Sequence, residues 1–172
     1  MKIGTISLFF GAHQFILHPL IVAYAWWKLY GFPYNPKLWL CFLVHDWGYF
    51  GKPNMDGEEG ELHPALGWDI THLFLGSEWG WFCLMHSRKM HTKVQNIISV
   101  KLPVSRLCVA DKLATLMTPK WMYRKKELEE YLDEGDCSSF EELRLKLKQD
   151  ISKFIEENKD NALRAEDYKQ YI

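Results

Sequence analysis

The amino-acid sequence predicts an all-α fold, a single compact multi-helix domain with an amphipathic helix near its C-terminus. Three observations carry this expectation. Few segments alternate apolar and polar residues as a half-buried strand does, several place apolar residues at spacings of three and four, and Pro, Gly and Ser punctuate those segments. The chain has 172 residues, 48% hydrophobic and 25% charged, a composition that excludes disorder and collagen. At this length one domain buries roughly 70% of the surface its unfolded chain exposes, so one substantial core is expected.

Candidate helices run over 5–16, 19–30, 36–50, 64–76, 78–92, 103–117, 119–132 and 139–158. An apolar stretch follows Lys2, but His13, Gln14, His18 and Pro19 interrupt it. It therefore resembles neither a secretory leader nor the ~20 residues of a spanning helix, and Ala23-Tyr24-Ala25 is not read as a cleavage site. Pro19, Pro64 and Pro103 are placed to open helices at the first position, where a missing N–H costs nothing; Gly31 and Gly76 are placed as stops. Ser139 with Glu142 has the form of a capping box, and Phe140, Leu143, Leu147, Ile151, Phe154 and Ile155 then form one apolar stripe. The opposite face of that helix holds no histidine, so it is expected to close over the core or meet a partner subunit. Residues 1–132 are read as the domain proper and 133–172 as a charged amphipathic helical tail packed on it.

With 21 Lys+Arg against 22 Asp+Glu and a pI near 6.7, the chain has no broad cationic field. Binding to long nucleic acid or to an anionic membrane is not expected, whereas a small anionic ligand stays open. Cys41, Cys83, Cys108 and Cys137 form no C-x-x-C pair and read as buried free thiols of a reducing cytoplasm.

Leu38-Trp39-Leu40-Cys41-Phe42-Leu43-Val44 is apolar on every side, which predicts a buried helix, and His45-Asp46 follows at once. An imidazole and a carboxylate there must be satisfied, because an unpaired buried charge is too costly to persist; a cation is one solution. Asp111 interrupts a second apolar run, where it either ligates or pairs with a buried base. His18 and His63 each precede a proline, which biases them toward extended backbone at a helix mouth. That position suits a metal ligand or phosphate contact as well as an ordinary helix-start hydrogen bond. His86 ends an aromatic run and is followed by Ser87-Arg88-Lys89, a cluster of donors at the rim of a site. His13, His72 and His91 are left out.

Taken in order, His18, His45-Asp46 and Asp111, the last within Ala110-Asp111-Lys112-Leu113, resemble the H…HD…D signature of the HD-domain superfamily of metal-dependent phosphohydrolases. The resemblance spans roughly residues 13–118 and implies an all-helical HD-type fold. It also implies that His18, His45, Asp46 and Asp111 bind a divalent cation. Some members carry two further histidines and bridge two metals with the aspartate of the doublet; His63 and His86 occupy those intervals. The alternative is that these two imidazoles touch substrate phosphate beside a single ion. Trp47-Gly48-Tyr49 lacks the acidic residues that follow the doublet in alarmone hydrolases and related nucleotidases, and the H-H-E-x-x-D-G-x-G-Y-P element of the cyclic-dinucleotide branch is missing.

The reading that follows is hydrolysis of a phosphate ester or anhydride in a small nucleotide-like substrate, with Asp46 in the catalytic set. Mixed imidazole and carboxylate donors suit one or two ions of Mn, Fe, Co, Ni or Zn. Lys52 and Arg88 are the basic candidates for substrate phosphate, with Lys112 less favoured. The acidic run Asp56 to Glu61 either supplies a proton donor or an outer-shell contact to His63, or is a solvated turn. A dinuclear-iron oxygenase of similar fold and a non-catalytic nucleotide sensor are the competing functions, and a homo-oligomer is left open.

Overall fold

The computed structural model describes residues 14–52, 58–98, 102–123 and 125–171. Among these residues the structure is all-helical and contains no strand; an isolated parallel bridge joins Ser105 to Leu163. The α-helices are α1 (Leu17–Tyr30), α2 (Pro36–Val44), α3 (Glu58–Glu61), α4 (Pro64–Leu75), α5 (Ser77–Leu84), α6 (Arg88–Ile98), α7 (Arg106–Met117), α8 (Lys125–Glu134) and α9 (Phe140–Asn158). Short 3-10 segments cover Trp47–Tyr49, Lys120–Met122 and Ala165–Gln170. No described helix is long and apolar enough to cross a membrane.

Several expected boundaries move, each for a local reason. The helix expected over 5–16 falls mostly outside the described residues. The Gln14 side chain accepts hydrogen bonds from Ile16 N at 2.8 Å and Leu17 N at 2.6 Å, so α1 starts before His18 and Pro19 sits within its first turn. His63 is helical too, with φ −53° and ψ −32°, because its N–H closes a turn onto the Gly60 carbonyl. Neither histidine is therefore extended, as the following prolines led one to expect.

The segment 36–50 is α-helical only to Val44, and 78–92 breaks between Leu84 and Arg88. Pro103 does not open a helix: Ser105 caps α7 by accepting from Cys108 N at 3.2 Å. The segment 119–132 divides into a 3-10 turn and α8. Pro64 opens α4 as expected, and Gly31 and Gly76 end α1 and α4 at φ 85° and 103°, angles that favour glycine. Ser139 caps α9, but Glu142 returns to Ser138, so only half of the capping box forms.

Helix α7 is the axis of the core, with Leu107, Cys108, Val109, Ala110 and Ala114 all buried. Against it pack α1, α5 and α9. Val22 and Trp26 of α1, Phe42 of α2 and Phe82 of α5 meet in the main apolar cluster. The amphipathic α9 turns Phe140, Leu143 and Ile151 inward, and the segment beyond it returns to α5, where Tyr168 is fully buried.

Candidate metal centre

Packing of α1 on α7 sets His18 beside Asp111 across 93 residues of sequence. The other four residues lie at the ends of helices. His45 follows α2, His63 follows the short α3, and His86 follows α5. Each of these rings donates its Nδ1 proton to the carbonyl three residues earlier: His45 to Phe42 at 2.9 Å, His63 to Gly60 at 2.7 Å, His86 to Cys83 at 2.6 Å. A carbonyl can only accept, so the tautomer is decided. In the neutral ring the bond leaves the Nε2 lone pair facing inward.

The four imidazoles converge on the Asp46 carboxylate. Its Oδ2 lies 3.3 Å from His18 Nε2 and 3.4 Å from His45 Nε2, while its Oδ1 lies 3.4 Å from both His63 Nε2 and His86 Nε2. Asp111 Oδ1 completes the first side, 3.1 Å from His18 Nε2 and 3.8 Å from His45 Nε2. Two buried groups result, His18-His45-Asp46-Asp111 and Asp46-His63-His86, in each of which one donor atom per residue lies within 4.8 Å of the others. Each group could hold a metal ion.

The donor set fits that role. His45 Nε2 is fully buried and makes no hydrogen bond, although two carboxylate oxygens face it. With its Nδ1 proton committed to Phe42, lone pair points at lone pair, an arrangement that a cation between them relieves. Burial lowers the pKa of His86, which keeps its ring neutral. Burial would do the same to His18, but Asp111 and Asp46 outweigh it and raise its pKa to about 9. Asp111 runs the other way: burial favours its neutral form, yet Lys112 and His18 hold it well below the usual carboxylate range.

A cavity of about 290 Å³ opens onto Asp46, His63, His86 and Asp111, and Arg88, Lys89 and Lys112 line its wall. Lys112 Nζ bonds Asp111 Oδ2 at 3.0 Å. The Arg88 guanidinium lies 5.3 Å over the Phe154 ring of α9, and no carboxylate pairs with it among the described residues. Lys52, named from the sequence with Arg88, is not among the lining residues. Glu61 lines the cavity, but Lys93 at 2.6 Å and Lys89 at 3.5 Å engage its carboxylate, which removes it as a proton donor. Asp56 lies outside the described residues.

Other site residues carried weaker sequence signals. Gly48 lets the 3-10 turn press against His63: a methyl group there would overlap the His63 carbonyl. Tyr49 then stacks on the His63 ring at 3.8 Å and 13°. Gly67 admits α4 to the backbone of Val44 and His45, 3.2 Å from where its Cβ would lie. Helix α9, read as a covering tail, supplies Leu147, Asp150 and Ile151 to the cavity wall. His72 stacks on Trp68 and His91 bonds the Leu102 carbonyl, both outside the cluster. His13 lies outside the described residues.

Comparison with protein-family models, with curated proteins and with solved structures finds no match to this chain.

Proposed function

We propose that this chain is a metal-dependent phosphohydrolase of the HD-domain type, holding two divalent transition-metal ions and cleaving a phosphate ester or anhydride of a small nucleotide-like molecule. One observation carries the reading: a cavity that opens onto the histidine–aspartate cluster is lined by three cationic side chains, Arg88, Lys89 and Lys112. Glu61 and Asp150 share that wall, but Lys89 and Lys93 engage Glu61, so a histidine-and-carboxylate floor beside the Arg88 fork suits a phosphoryl group better than a neutral substrate.

His18, His45 and Asp111 would hold one ion and His63 and His86 the other, with Asp46 shared between them. Bound there, such ions supply Lewis acidity and a lowered water pKa. The protein does the rest. Backbone carbonyls of Phe42, Gly60 and Cys83 hold three imidazoles in one tautomer, and Tyr49 fixes the plane of His63. Arg88 offers a planar fork to phosphate oxygens, while Lys112 adds a point charge beside Asp111. Leu147 and Ile151 of α9 limit the water that reaches the cavity.

The test is elemental analysis of protein purified without chelator, followed by phosphate release from mono-, di-, tri- and cyclic nucleotides with Mn, Fe, Co, Ni or Zn. Phosphate release without oxygen consumption is expected. Substrate-dependent oxygen uptake would instead establish an oxygenase, and tight nucleotide binding with no turnover under any metal a sensor.

A further inference from the structure

Helix α9 gives the cavity wall a carboxylate, Asp150, between the apolar Leu147 and Ile151. Residues three and four apart share a helix face, so Phe154 follows Asp150 one turn later on the same side, and its ring carries the Arg88 guanidinium. The other acids of the cavity are engaged. Asp46 meets four imidazoles, Asp111 binds His18 and Lys112, and Glu61 holds Lys89 and Lys93. Asp150 differs: among the described residues it forms no ion pair and no hydrogen bond, although Arg88, Lys89 and Lys112 line the same cavity.

A carboxylate that stays apart from three cations divides the cavity by charge. Phosphate oxygens are drawn to Arg88 and to the ions the cluster would hold, and a second or third phosphate extending toward α9 meets a like charge. Hydroxyl groups placed there donate to the carboxylate instead. Thr115 of α7 favours the same ligand: its hydroxyl proton goes to the Asp111 carbonyl at 3.2 Å, so its oxygen offers the cavity lone pairs. At about 290 Å³ the cavity is small for a ligand site, which keeps the organic part of a bound phosphate within reach of these acceptors.

We infer that the substrate is a phosphate monoester whose organic part carries hydroxyl donors, as a sugar does, and that Asp150 selects it against di- and triphosphates. The inference rests on the phosphohydrolase reading and narrows it. Hydrolysis of such an ester joins a water oxygen to phosphorus, breaks the ester P–O bond and gives a proton of that water to the departing oxygen, which leaves as the alcohol.

Phosphate release by the Mn-loaded full chain from ribose 5-phosphate, phenyl phosphate, adenosine monophosphate and adenosine triphosphate tests it. The wild type should prefer ribose 5-phosphate to phenyl phosphate, which has no hydroxyl donor, and the monophosphate to the triphosphate. Asp150→Asn keeps the shape of an exposed side chain and removes its charge. Its kcat/KM should fall about 10-fold for ribose 5-phosphate and rise about 10-fold for the triphosphate, the scale of one charge-assisted hydrogen bond lost and one like-charge contact relieved. Asp150→Glu should keep the wild-type order. A purely structural role moves all four substrates in one direction. Unchanged ratios or a parallel loss in Asp150→Asn therefore overturn the assignment of Asp150 alone, as does a wild type that prefers the triphosphate. Release from none of the four under any of the metals overturns the phosphohydrolase reading and this inference with it.

Discussion

His63 and His86 meet Nε2 to Nε2 at 3.0 Å, with the Nδ1 proton of each ring already given to a backbone carbonyl. Two neutral imidazoles in that state oppose lone pairs at hydrogen-bond distance. A cation turns this repulsion into coordination, with Asp46 Oδ1 as the third donor. Two ions per chain are accordingly expected by mass spectrometry. His63→Ala or His86→Ala should remove one, and Asp46→Ala both. Two ions retained in His63→Ala would refute the second site.

Arg88 has the right surroundings for an anion: Lys112 nearby, Phe154 beneath and, among the described residues, no carboxylate paired with it. Arg88→Ala should lower kcat/KM about 10–100-fold, from ~1.5–3 kcal/mol for hydrogen bonds to a charged group. Metal content should be unchanged. Loss of the metal instead would contradict a substrate role, and Phe154→Ala should raise KM in the same direction by less.

Gly48 gives a sharp structural test, because the atom a methyl would strike is the His63 backbone, which cannot rotate away. Gly48→Ala should cost about 3 kcal/mol in urea unfolding and shift His63 out of register. A variant with wild-type stability and full metal content would show that the turn does not press on His63 in solution.

The buried thiols set a limit on alkaline stability. Burial pushes Cys83 and Cys108 up to about 12 and Cys41 well above its ordinary value. Below about pH 8.5 these thiols are neutral in both folded and unfolded chains, so their burial has no pH-dependent cost. As the pH rises further the unfolded chain loses protons that the folded chain keeps. Stability should therefore fall by up to ~1.4 kcal/mol per pH unit for each thiol until the folded values are reached. Replacing Cys108 with Ala should flatten that slope; an unchanged slope would exclude it as a contributor. In native protein only the half-buried Cys137 should react quickly with a thiol reagent.

Local information sufficed for some features because their causes lie within a few residues. The apolar run before His45 predicts burial, and Pro64, Gly31 and Gly76 act through backbone geometry in their own turns. The segments around His18 and His86 defeated the same reasoning. Gln14 starts α1 two residues early, and His86 follows a helix that its sequence would continue, with its ring bonded to the Cys83 carbonyl. Lys52 and Arg88 looked alike by proximity in sequence, but only Arg88 faces the cavity.

The sequence by itself determined the helical class, the buried setting of the His45-Asp46 doublet and the residue types capable of holding a cation. Tertiary structure alone decided that donors from five separate segments meet in one cluster and that α9 walls the cavity. The physical reason is range: backbone propensity and burial act over a turn or two, whereas coordination and docking depend on helix packing that no local stretch encodes.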